Sequence, residues 1–187
     1  MHTFIIAEAG VNHNGDATIA RKLIDAAVAA GADAVKFQTF KADALVTSEA
    51  KKADYQVANT GTTESQADML RALELSPAAH EALVAYCKER GIIFMSTPFD
   101  FASIELLRKL GMQIWKIPSG EITNLPHLRA IGVLPKERVI MSTGMATLAE
   151  VEAALQVLVA ADTPKEKITI LHCHTDYPTR PEDVNLR

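Results

Sequence analysis

Cysteine is scarce in this chain. Cys87 and Cys173 are its only two, in unrelated surroundings, which excludes a disulfide framework and points to a reducing compartment. No apolar run approaches the roughly 18 residues of a membrane-spanning helix. No charged segment followed by an apolar stretch and a cleavage site opens the sequence, so neither a span nor a secretory leader is expected. Positive charge is also in deficit: 19 Lys and Arg against 23 Asp and Glu leave a net charge of -4. That leaves no electrostatic footprint for nucleic acid and no basic amphipathic run for a membrane surface. The absences together predict a cytoplasmic protein whose partners are small molecules.

What is present is a core and a repeat. With 187 residues, 48% of them hydrophobic, the chain can bury one full core and is expected to form one domain. Strand-like apolar runs fall at 3–8, 34–40, 92–98, 114–117, 138–144 and 167–172. Between them lie amphipathic helical stretches. Asp16 reads as an N-cap, followed by an apolar face of Ile19, Leu23, Ala26, Ala27 and Ala30 and a stop at Gly31. Ser76 with Pro77, Asp100 and Thr147 mark further helix starts, Leu125 begins a short helix, and Gly91 and Gly111 mark stops. The polar connection 41–65 is long for a βα loop and is a candidate lid or substrate loop.

Repeated βα units make either a doubly wound sheet or a (β/α)8 TIM barrel. Glu8, Lys36 and Gln38, Thr97, Lys116 to Glu121, Ser142 with Thr143, and His172 to Tyr177 all stand at or just beyond the C-terminal ends of successive strands. A barrel gathers every such end at one mouth, whereas a doubly wound sheet needs polar residues only beside its switch point. Gly10 to Gly15 lacks the spacing of a dinucleotide-binding turn. The expected fold class is therefore α/β, a TIM barrel, with about six of eight βα units present. A chain of this length is expected to be a fragment of the complete barrel.

Lys116 is the residue around which the chemistry is organised. It lies inside the apolar strand Ile114-Trp115-Lys116-Ile117, and a buried ammonium requires a partner. Glu121 could neutralise it as a purely structural pair, and Glu8 could do the same for Lys36. Alternatively, Lys36 and Lys116 with the hydroxyls of Thr97, Ser119 and Ser142 form a cradle for a small substrate with more than one negative group. Glu8 and Glu121 would then serve as general acid and base. Each hydroxyl alone could instead cap the next helix. Lys116 as a Schiff-base nucleophile of an aldolase, and a non-catalytic anion-binding module, are further readings. His172 and His174 share a face but are too few for a closed metal site. His13 is expected to bond local backbone. His2, His80 and His127 carry no usable context.

Six segments carry a resemblance over essentially the whole chain: Ala7 to Asp16, Val35 to Phe40, Ser96 to Asp100, Trp115 to Glu121, Ser142 to Met145, and Leu171 to Cys173 with Tyr177-Pro178-Thr179. In order and content they resemble the N-acetylneuraminate (sialic acid) synthase family. The resemblance implies a barrel that condenses phosphoenolpyruvate, as co-substrate, with an N-acetylated amino sugar such as N-acetylmannosamine. It releases phosphate and forms a nine-carbon 2-keto acid; legionaminic and pseudaminic acid synthases share the chemistry. By resemblance, Lys36, Thr97, Lys116, Ser119 and Ser142 go to phosphoenolpyruvate, Glu8 and Glu121 to proton handling, and Gln38, Asn59 and Tyr177 to the sugar. The position of His174 more often holds Thr or Asn in that family. The resemblance further implies a divalent cation, manganese or magnesium, with its ligands beyond Arg187, a C-terminal antifreeze-like domain outside this chain, and a homodimer at full length. The chain by itself is accordingly expected to have little or no condensing activity.

Overall fold

Largely apolar runs fold here as short parallel strands in two groups of three. The computed structural model describes residues 2–47, 65–176 and 178–185, so Asn59 and Tyr177 lie outside the described residues. In a first unit, Met1–Leu110, β1 (Ile6–Gly10), β2 (Ala34–Thr39) and β3 (Ile93–Pro98) pair in chain order. In a second, Gly111–Arg187, β4 (Ile114–Ile117), β5 (Arg138–Ser142) and β6 (Ile168–Leu171) do the same. All four ladders are parallel. The described pairings make two three-stranded parallel sheets, and the six strands are the six expected of a partial barrel.

Parallel neighbours need a crossover between them. In the first unit these are α1 (Ala17–Ala29), a four-residue α2 (Ala42–Leu45), α3 (Gln66–Leu73) and α4 (Pro77–Arg90), with α5 (Phe101–Lys109) after β3. The second unit uses α6 (Leu125–Gly132) and α7 (Leu148–Ala160). The expected caps are in place. Asp16 accepts from the Thr18 N–H at 2.6 Å, Ser76 precedes Pro77 and Gly91 closes α4 at φ 71°, and Thr147 with Glu150 forms a capping box.

Two expectations need correction. The buried stripe of α1 is Ala20, Ile24 and Ala27, one residue round from the predicted face. The alanine at 20 lets the helix lie close on the sheet, while Ile19 and Leu23 are only half-buried at its flanks. The connection read over 41–65 holds α2 at its start, with 48–64 outside the described residues, and a helix not predicted from the sequence, α3, follows Ser65 directly. The start of α3 is fixed by Ser65, whose Oγ accepts from the Asp68 N–H at 3.1 Å. Gly15, at φ 76°, turns against that helix: a Cβ there would stand 2.4 Å from the Ala72 carbonyl oxygen. Only glycine fits both the space and the left-handed backbone.

In the first unit Ile24, Phe37, Leu83 and Cys87 belong to one apolar cluster, with the Phe37 ring stacked on Phe94 at 5.7 Å. In the second, Trp115, Ile117, Leu128, Met141 and Leu158 are fully buried. Among the described residues no helix is long and apolar enough to cross a membrane.

Candidate active site

Strand alternation decides where the polar residues of the second unit go. Trp115 and Ile117 register with Val139 and Met141, and Lys116 registers with Ile140. Ser142, two residues beyond Ile140, therefore shares the face of Lys116. The Lys116 ammonium, with the residue only 8% exposed, donates to Ser142 Oγ at 2.6 Å and to the Ile117 carbonyl at 2.9 Å. Glu121, in the 3-10 turn Ser119–Glu121, directs its carboxylate elsewhere: Oε2 accepts from Asn124 Nδ2 at 2.6 Å. A hydroxyl and a carbonyl thus bed the lysine where the sequence offered a Lys116–Glu121 pair.

The neighbouring loops are braced around this lysine. Ser119 Oγ accepts from the Gly144 N–H at 2.9 Å. A Cβ on Gly144 would stand 2.8 Å from Thr175 Cγ2 and 2.9 Å from that same Ser119 Oγ, so the strand-end loops carrying Ser119, Gly144 and Thr175 are in close approach. Thr143 Oγ1 donates to the Leu171 carbonyl at 2.9 Å, and the Cys173 thiol donates to Ser142 Oγ at 3.3 Å. The capping alternative for the hydroxyls fails, because Asp100, Asn124 and Thr147 cap α5, α6 and α7, leaving Thr97, Ser119 and Ser142 out of that role.

In the first unit, Glu8 and Lys36 are register partners and form an ion pair, with the lysine side chain 12% exposed and the carboxylate 51%. Pairing with Glu8, one of the alternatives for Lys36, is what the structure contains. The register shifts between Glu8 and Gly10, and Gly10 takes φ 54°. A Cβ there would lie 3.3 Å from Glu8 Oε1 and 3.8 Å from Gln38 Nε2, which places carboxylate and amide together over one bulge. Thr97 is buried and registers with Gln38.

The histidines of the first unit are interior groups. The His13 ring is fully buried, accepts at Nδ1 from the Gly15 N–H at 3.0 Å and lies against Phe37. His80 faces the Ser76 carbonyl with Nδ1 at 3.0 Å. A carbonyl only accepts, so Nδ1 carries the proton, and Nε2 accepts from Thr39 Oγ1 at 2.9 Å. The Thr39 oxygen also meets Ser96 Oγ at 2.7 Å. Burial holds both imidazoles below their ordinary 6.5, helped by the mutual charge for His13 and by Lys41 for His80. Sequence reasoning found no use for His80, because its partners lie 41 and 4 residues away with no local pattern.

His172 Nε2 donates to the Val184 carbonyl at 2.7 Å, and His174 Nδ1 accepts from the Asp176 N–H at 3.2 Å. Among the described residues no group of three or more His, Cys, Asp or Glu side chains converges. The described side chains therefore do not fit a resident divalent cation.

Residues 23–187 match the model of the NeuB family. The chain is 53% identical over 185 residues to the N,N'-diacetyllegionaminic acid synthase of Campylobacter jejuni, covering 99% of this chain and 55% of that one. It is 49% identical to the synthase of the same name from Legionella pneumophila, covering 100% and 53%. Among solved structures, the N-acetylneuraminic acid (sialic acid) synthetase of Leptospira borgpetersenii, in complex with citrate, superposes with a TM-score of 0.81 at 31% identity, covering 100% and 59%. The chain spans about half the length of the curated relatives it matches.

Proposed function

The chain belongs to the NeuB family, and from that premise we propose that it carries the phosphoenolpyruvate-binding residues of a sugar-acid synthase of the N,N'-diacetyllegionaminic acid type. The fold is read as part of a (β/α)8 barrel, because within each unit the strand order follows the chain without the reversal of a doubly wound sheet. The identity of 53% to a legionaminic acid synthase, against 31% to a sialic acid synthetase, moves the sugar away from N-acetylmannosamine. Removing the three carbons of pyruvate from a nine-carbon diacetylated product leaves a six-carbon sugar with two acetamido groups.

The observation that carries the reading is the bedding of Lys116 on Ser142 beside the braced loop of Ser119 and Gly144. An ammonium on a strand end, with hydroxyls around it, suits the phosphate and carboxylate of phosphoenolpyruvate. Lys116, Ser119, Ser142, Lys36 and Thr97 are assigned to that substrate, and Gln38, Asn59 and Tyr177 to the sugar. In the reaction, C3 of phosphoenolpyruvate bonds to the aldehyde carbon of the open-chain sugar, water adds at C2, and the C–O bond to phosphate breaks. Glu8 and Glu121 are assigned the proton transfers, Glu8 from its place beside Lys36 and Gln38.

The test is calorimetric. Protein saturated with phosphoenolpyruvate is titrated in parallel with a diacetamido hexose and with N-acetylmannosamine. Tighter binding of the diacetamido sugar is expected; equal or reversed preference overturns the sugar assignment.

A further inference from the structure

Ser142 Oγ has two lone pairs and one proton to offer. Lys116 Nζ donates to it at 2.6 Å and Cys173 Sγ donates to it at 3.3 Å, so both lone pairs are engaged from within the chain. The hydroxyl keeps only its own proton for an incoming group. It is thereby preset as a donor, which is what a phosphate or carboxylate oxygen requires. The thiol is itself fixed by its neighbours. Leu171 registers with Ser142 and is tied by Thr143 Oγ1, and His172 is tied to the Val184 carbonyl. Cys173 is half-buried and borders a cleft of about 210 Å³ that it shares with His172, His174 and Asp183. No role fell to Cys173 from the sequence, where it stood as one of two cysteines and as the end of the Leu171 to Cys173 motif.

We propose that Cys173 is a positioning residue for phosphoenolpyruvate: its thiol, by occupying one lone pair of Ser142 Oγ while Lys116 occupies the other, orients the Ser142 proton toward the substrate anion. The inference rests on the assignment of phosphoenolpyruvate to Lys116 and Ser142. A thiol is a weak donor, so the effect is modest, about three- to tenfold in affinity.

Titrations of phosphoenolpyruvate and of inorganic phosphate against the parent, Cys173→Ser and Cys173→Ala test it. The serine variant retains a donor and is expected to bind within about twofold of the parent; the alanine variant is expected to lose about three- to tenfold at an unchanged melting temperature. A serine variant as weak as alanine, or an alanine variant that binds like the parent, overturns the positioning role. If the parent binds phosphoenolpyruvate and Lys116→Ala does not, an indifferent Cys173→Ala defeats this inference alone; a folded parent that binds none defeats the substrate assignment beneath it. Iodoacetamide labelling of the unmutated chain is a second readout. Cys87 is 1% exposed and burial pushes its thiol up to about 12, so labelling reports Cys173. Saturating phosphoenolpyruvate is expected to slow it, and a rate indifferent to the ligand overturns the proposal.

Discussion

The two units hold their strand-end lysines by different means. In the first, Lys36 is paired with the carboxylate of Glu8 over a bulge in β1, a charged and half-exposed partner that water and salt screen. In the second, Lys116 rests on a hydroxyl and a carbonyl set by a strand buried at all four positions. An ammonium placed by a partner carboxylate moves when that carboxylate titrates or turns to a substrate. One placed on strand-borne neutral oxygens keeps its position. The first arrangement suits proton handling and the second suits a fixed anion seat. The interiors differ only in degree, since the first unit buries the imidazoles of His13 and His80 while the second buries one, His127, together with Trp115.

The largest break in this comparison should come from Trp115→Ala. It removes a fully buried side chain beside Lys116 and should cost about 3–5 kcal/mol, read as loss of hydrogen-exchange protection in peptides of 111–185. Gly15→Ala is the counterpart in the first unit. With the Ala72 oxygen 2.4 Å from the new Cβ and a left-handed backbone, about 2–3 kcal/mol should be lost, with protection falling first at 65–73.

Acid should weaken the first unit without a mutation. His13 and His80 have folded pKa values below 6.5, so below pH 6.5 the unfolded chain binds protons that the folded chain refuses. The stability they contribute is complete above pH 6.5 and declines as pH falls below it. Urea midpoints measured from pH 7.5 to 5 should fall more steeply in the parent than in His80→Gln. Smallest and most nearly equal are the caps. Asp16→Ala and Thr147→Ala each remove one helix start at about 1 kcal/mol, and a large inequality between them would blur the distinction between interiors drawn above.

The strands and caps were legible because their signals are local. Asp16, Ser76-Pro77 and Thr147 each announce a helix start within one or two residues, and Gly91 announces a stop on its own. The α1 face was misplaced because Ala20, Ala26 and Ala27 look alike in sequence, and only packing against the sheet selects among them. The helix over 66–73 was missed because Ser65 and Asp68 sit among polar residues and Ala67 is its only buried side chain. Lys36, Glu8, Lys116 and Ser142 could be picked out because strand ends collect polar residues. The Thr39, Ser96 and His80 network could not, since its members lie 41 and 57 residues apart. The Cys173 contact with Ser142 spans 31 residues and was equally hidden.

The central claim is that Lys116 seats phosphoenolpyruvate. Calorimetric titration of phosphoenolpyruvate into the parent and into Lys116→Ala, with circular dichroism on both, tests it most directly. Binding by the parent and a loss of about a hundredfold or more in the folded variant is the predicted result, the scale of a charge-assisted hydrogen bond removed from an anion. Equal affinity in the two folded proteins would contradict it.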